Sequence, residues 1–248
     1  MQPYAYQDKV LTQVGSENAL LAADLGTGKT PMATWLAQKG QHDTVLIIAP
    51  IRTFDGWVRT VGEIIGTDVR EVHKRNKVGK AALADVEAGV PGWYFIGWEL
   101  MRTIYSEKAW RKRNGKVVKV SVSVARPFSG TVFDVVIADE WHRASNHRSL
   151  NFQVISRVRS TRCLALSATP AGDKPVNIYT AYKWLWPDMF DTFYKFADKY
   201  FDSEVNKHAL ERMNPNSGYT PMIYGRESKP GLVRSLVPHH VTVRAEEA

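Results

Sequence analysis

The stretch LLAADLGTGKT, Leu20–Thr30, decides how the rest of this 248-residue chain is read. An apolar run passes into a glycine-bearing turn and then into Lys29 and Thr30. The pattern G-x-x-x-x-G-K-[ST] places glycines where backbone N–H groups must approach phosphate oxygens. It adds a lysine for the β- and γ-phosphates and a hydroxyl for Mg²⁺. Gly26, Thr27, Gly28, Lys29 and Thr30 fill the second half of that pattern, and Ala23 stands where the first glycine is usual. PMATWLAQK follows, with Pro31 favourable in a first helical turn. The partial positive charge of that helix end would lie under bound phosphates. A plain glycine turn with a surface lysine is the bland alternative, and the strand before and helix after count against it.

Outward from this turn, further apolar runs read as buried strands: TVLIIAP (44–50), WYFIGW (93–98), FDVVIAD (133–139) and CLALSAT (163–169), besides ALLAA (19–23). None alternates with polar residues, which suits a sheet covered on both faces. Helical patterns lie between them, in TFDGWVRTVGEII, GKAALADVEAG and LNFQVISRV. Strand–helix alternation implies a doubly wound parallel sheet. Asn114-Gly115 inside KAWRKRNGKVVKVSVSV predicts a two-residue hairpin turn, hence a basic β-hairpin inserted at about 108–124. After about residue 173 the chain becomes helical and aromatic, and a Pro-, Gly- and Ser-rich tail follows. The expected organisation is a phosphate-binding lobe over 1–172 and a helical extension with tail over 173–248.

VVIADEWH carries the second motif. It delivers Asp139 and Glu140 to a strand's C-terminal end, the edge where open α/β sheets bind ligands. Asp139 can hold Mg²⁺ through water, and Glu140 can orient and deprotonate an attacking water. Taken alone, the pair also fits helix-start capping. Together with the lysine-bearing turn it points to Mg-dependent NTP hydrolysis.

GTGKT, DEWH and SAT resemble motifs I, II and III of superfamily-two helicases and translocases. DEWH is a DEAH-box variant with Trp141 in place of alanine. AADLGTGKT is similar to the A-D-E-M-G-L-G-K-T of the SWI/SNF-like branch. PYAYQ looks like the adenine-reading Q motif, with Gln7 as reader; VLIIAPIRTFDGWVRT is similar to motif Ia and FIGWELMRT to motif Ib. YTAYKWLWPDMFDTFYKFADKYF is similar to the helical segment after motif III. The likeness spans nearly all of residues 1–205, in the family's order. It implies a RecA-like parallel sheet with helices on both faces, using ATP and Mg²⁺ to act on DNA, double-stranded for this branch. By the same resemblance His142, Ser167 and Thr169 couple nucleotide state to nucleic-acid grip. Arg52 and Thr53, Arg102 and Thr103, and the hairpin's Lys112 and Arg113 are the expected nucleic-acid contacts. For the hairpin, a solvated basic edge that discourages strand pairing stays open.

Family motors have two RecA-like lobes. No second series of phosphate-side strands and no Q-x-x-G-R-x-x-R pattern is found here, so the expected unit is lobe one. Its second lobe would lie in the same longer chain or in a separate subunit, and turnover without it would be low. Two other readings remain: a nucleic-acid-binding module using ATP as a conformational ligand, and a P-loop ATPase acting on protein partners.

Composition narrows the setting. Hydrophobic residues make up 44% and charged residues 23%, and no apolar run reaches the ~20 residues that cross a bilayer. The opening MQPYAYQDKV lacks a signal-peptide core, and the lone Cys163 suits an intracellular, cytoplasmic protein, nucleoid-associated in a bacterial or viral setting. No membrane partner is expected. The net charge of +8 suits a polyanionic partner, and residues 51–125 supply +6 of it. Trp98 sits at a strand end where it could face nucleic acid, whereas Trp184 and Trp186 read as core. His239-His240 has no partners at metal-ligand spacing.

Overall fold

The computed structural model describes residues 1–39, 43–113, 116–123, 126–211 and 220–247. The chain runs through α1 (Ala5–Val14), β1 (Ala19–Ala23), α2 (Lys29–Gln38), β2 (Thr44–Ala49), α3 (Phe54–Ile65), β3 (Val69–Glu71), α4 (Lys77–Glu87), β4 (Gly92–Gly97) and α5 (Trp98–Ile104). The hairpin strands β5 (Ser106–Arg113) and β6 (Lys116–Ser123) follow, then β7 (Phe133–Asp139), α6 (Leu150–Ile155) and β8 (Ser160–Ser167). Helices α7 (Tyr179–Leu185) and α8 (Phe193–Tyr200) lead to β9 (Phe201–Val205), α9 (Lys207–Glu211), β10 (Met222–Glu227), α10 (Leu232–Ser235) and β11 (His240–Val243).

Seven strands form one sheet in the order β11-β1-β8-β7-β2-β4-β3, and every neighbouring pair is parallel. The apolar runs carry no alternation because both faces are buried. Leu20, Leu46, Ile48, Tyr94, Val136 and Ala165 face one core, with α4 to α8 packed over it. Their neighbours Leu21, Val45, Ile47, Phe95, Ile137 and Leu164 face the other, covered by α1, α2 and α3. This period of two, with a helix layer on each side, is the RecA-like architecture the sequence implied.

The C-terminal residues do not stand apart from this sheet. Tyr182, Trp184, Phe196 and Val233 belong to the first core. β11 pairs with β1 along Leu20↔His240 to Ala23↔Val243, so the VTVR stretch of the tail closes the sheet's edge beside the candidate phosphate loop. β3 and β11 are both too short for periodicity to reveal. β5 and β6 pair antiparallel from Ser106↔Ser123 to Arg113↔Lys116, as the hairpin reading expected; the Asn114-Gly115 turn lies outside the described residues.

Candidate nucleotide site and nucleic-acid face

Because all seven strands are parallel, their C-terminal ends share one edge. Leu166 of β8 pairs with Leu21 on one side and with Asp139 on the other. The candidate phosphate loop and the acidic box therefore emerge at one level, two strand spacings or roughly 10 Å apart. Ser167 leaves β8 between them.

The loop turns through Gly26 at φ 83° and Gly28 at φ 74°, a region that L side chains avoid. A Cβ on Gly28 would also sit 2.4 Å from Nε2 of Gln7, so a larger residue there would have to displace the end of that side chain. α2 starts directly after Gly28, and no side chain caps it. Thr27 is fully buried, and its hydroxyl donates to the Asp24 carbonyl at 2.8 Å. Half-buried Lys29 donates from Nζ to the carbonyls of Ala23 at 2.7 Å and Asp24 at 2.9 Å. Burial lowers its pKa, and the carboxylates of Glu140, Asp139 and Asp24 pull the other way. Lysine and acidic pair thus lie within each other's field. Thr30 is half-buried at the start of α2. Gln7, 3% exposed, accepts at Oε1 from the Tyr4 N–H and donates from Nε2 to the Thr27 carbonyl at 3.4 Å. Tyr6 donates to the same carbonyl at 3.1 Å.

Asp139 ends β7 and is 7% exposed. Its pKa is raised to about 6, by burial first and by neighbouring Glu140 second. Two donors hold the rise back: Trp57 Nε1 at 3.3 Å on Oδ2 and the Glu140 N–H at 2.9 Å on Oδ1. Glu140 has φ 54° and ψ 54°, a left-handed conformation that costs a non-glycine residue about 1–3 kcal/mol. That turn aims its carboxylate back along the edge, where Oε2 lies 3.2 Å from Nδ1 of His142.

Aromatic residues hold this box, and sequence reasoning found none of the contacts. Trp98 does not face nucleic acid: it is 1% exposed, and its Nε1 donates to the Asp139 carbonyl at 2.8 Å. Strand pairing brings Gly97 level with the end of β2, which draws the next residue in over the neighbouring strand. Trp141 is fully buried, stacks on Trp184 at 4.8 Å and donates to Thr180 Oγ1 at 3.2 Å. The tryptophan in place of alanine thus ties the box to α7. Three tryptophans, Trp57, Trp98 and Trp141, in the segments after β2, β4 and β7 were the available signal.

The coupling trio is only partly assembled. Ser167 is buried and its Oγ accepts from the Thr169 N–H at 3.1 Å. Exposed His142 contacts Glu140 rather than Ser167 or Thr169, though it shares a cavity of about 630 Å³ with Thr169.

On the far half of the edge, Arg52 follows β2 and Arg102 lies on α5 after β4; both are exposed. Thr53 and Thr103 give their hydroxyl protons to the carbonyls of Pro50 and Glu99, at 2.8 and 2.7 Å. The arginines, not the threonines, are the available donors here. Lys112 and Arg113 fall on β5, in register with Val117 and Lys116.

Elsewhere, Cys163 is buried and its thiol is pushed up to about 12. His240 is lowered to about 4, by burial and then by Arg234, and its Nδ1 meets the Tyr182 hydroxyl at 2.7 Å. Among the described residues, no group of three or more His, Cys, Asp or Glu forms a metal cage. Among the same residues, no helix is long and apolar enough to cross a membrane.

A seven-stranded parallel sheet between two helical layers, with these motifs on its C-terminal edge, defines a RecA-like lobe. Residues 9–236 match the family model of the SNF2-related domain, and the chain belongs to that family. The transcriptional regulator ATRX homolog of Drosophila melanogaster is 23% identical over 204 residues, covering 75% of this chain and 15% of that protein. The uncharacterized ATP-dependent helicase YqhH of Bacillus subtilis is 23% identical over 223 residues, covering 86% and 34%. The SWI2/SNF2 ATPase core of Sulfolobus solfataricus, solved in complex with dsDNA, superposes with a TM-score of 0.62 at 14% identity, over 98% of this chain and 46% of that one. The same core domain solved separately gives 0.58 at 14% identity, over 98% and 45%. The chain therefore spans 15% and 34% of these two curated relatives and under half of the solved cores.

Proposed function

We propose that this chain is the first ATP-binding lobe of a DNA-dependent ATPase of the helicase or double-stranded DNA translocase type. The observation that carries the reading is the shared register of Leu21, Leu166 and Asp139, which brings the lysine-bearing turn and the acidic box out at one level of the edge, flanking β8. One carboxylate with one hydroxyl, Asp139 with Thr30, is the donor set expected for Mg²⁺ that shares its shell with water and phosphate oxygens. That ion, when bound, would neutralise charge building on the transferred phosphoryl group. In this reading Lys29 exchanges the carbonyls of Ala23 and Asp24 for phosphate oxygens. The uncapped start of α2 supplies N–H donors. Gln7, already hydrogen-bonded to the loop, reads the adenine edge. Glu140 of the DEAH-type box holds the attacking water and takes its proton, and His142 steadies its carboxylate.

Arg52 and Arg102 grip the phosphodiester backbone on the other half of the edge. A second RecA-like lobe, in the same longer chain or a separate subunit, would supply the missing arginine donors. In other phosphoryl-transfer enzymes these are worth about 10³–10⁵ in rate, so turnover by this lobe alone should be low.

Glu140→Gln tests the assignment. Paired with a second lobe and duplex DNA, the variant should keep ATP binding and lose about 10²–10⁴ of the phosphate-release rate. A rate within a few-fold of the parent protein would remove Glu140 from the chemistry.

A further inference from the structure

The β5–β6 hairpin is a two-stranded sheet of its own. In an antiparallel pair, opposite residues share a face. Ala109 opposes Val120, and with Val118 and Val122 they form a half-buried face; β6 packs against α6. The other face looks outward. On it Trp110 opposes Lys119, whose ammonium lies 5.8 Å from the indole centroid, and Lys108 precedes by two residues.

Trp110 is 66% exposed, while the other seven tryptophans are buried or half-buried. A single exposed apolar side chain is ordinary. Trp110 is distinguished by its setting, between lysines on a hairpin with six Lys or Arg against one Glu. Its place matters too. β5 starts directly after α5, and a cleft of about 510 Å³ joins Arg102 and Thr103 to Ser106 and Lys108. The indole thus continues the proposed nucleic-acid face beyond Arg102.

An open aromatic ring beside cations suits a strand whose bases expose their faces: the ring stacks on a base and the cations meet its phosphates. Intact duplex keeps those faces stacked inside the helix and presents phosphates and groove edges instead. We propose that Lys108, Trp110 and Lys119 form a stacking platform for an unpaired stretch of nucleic acid next to the duplex-gripping arginines. The inference rests on the proposed nucleic-acid face for its location, and on the hairpin's own geometry for its ligand.

The test uses the full chain with Trp110→Ala and Trp110→Phe. The probes are a short oligodeoxythymidylate, a blunt duplex and the same duplex with a single-stranded tail. Trp110→Ala should weaken binding of the oligonucleotide and the tailed duplex about tenfold and change the blunt duplex by no more than about twofold, with Trp110→Phe keeping most of the affinity. The oligonucleotide should quench indole fluorescence in the parent protein and not in Trp110→Phe. Equal losses on blunt and tailed duplex, or no loss on either, would overturn the platform. If the parent protein ignores blunt duplex yet binds the oligonucleotide through Trp110, the platform stands and the duplex reading falls. If it binds none of the three probes, both fall.

Discussion

Across the C-terminal edge of the sheet, the half around β1, β8 and β7 holds several polar side chains in internal bonds, whereas the segments after β2 and β4 hold arginines out to water. Lys29, Thr27, Gln7, Ser167 and Asp139 all have protein partners and are buried or half-buried. Arg52 and Arg102 are exposed on the same edge. The contrast follows from what each half is proposed to hold. Discriminating a transition state from a ground state demands donors fixed in advance and shielded from water. Gripping a phosphodiester backbone demands charge and reach, and long solvated side chains supply both. One half is therefore built at a cost in stability, and the other at almost none.

Asp139→Asn gives the larger test of that difference. In the metal-free protein Asp139 has a folded pKa of about 6, above its ordinary 3.8. Between those values the folded state holds a proton that the unfolded state has released. Stability should therefore fall as pH rises from about 4 to about 6 and stay lower above it. Asparagine cannot ionise, so the variant should lose this slope and Mg-dependent turnover; its amide accepts from only one of the two donors on Asp139, which offsets the gain from removing a buried charge. Thermal melts at pH 4, 6 and 7.5 measure it; a variant that keeps the parent's fall in stability between pH 4 and 6 would remove the cost assigned to this half.

On the solvated half, Arg52→Ala with Arg102→Ala should change stability by less than about 0.5 kcal/mol. The same pair should lower the salt dependence of duplex binding, reducing the slope of log K against log salt by about 2. An unchanged slope would mean that neither guanidinium touches a phosphate.

The same contrast explains what was legible in the sequence. GTGKT, DEWH and SAT are contiguous because each sits on one strand end, where backbone conformation dictates residue type. The hairpin was legible for a similar reason, since Asn-Gly marks a turn locally. The supports of the acidic box are not local. Trp57 reaches Asp139 from 82 residues away and Trp98 from 41, and no periodicity encodes a partner at such distance. β11 is four residues long and joins the sheet only because β1 offers an open edge. Trp98 was misplaced because a strand end was read as exposed, when the following residue turns inward over the next strand.

The claim beneath all of this is that the lysine-bearing turn and the acidic box share one metal-bound triphosphate. A crystal structure of the chain with Mn²⁺ and a non-hydrolysable ATP analogue tests it most directly, since manganese reports its position by anomalous scattering. The account predicts a single strong peak between the Asp139 carboxylate and the Thr30 hydroxyl, with Lys29 turned from the Ala23 and Asp24 carbonyls onto the phosphates. A triphosphate bound away from residues 26–30, or a manganese peak with Asp139 outside its coordination and hydrogen-bonding reach, would contradict it.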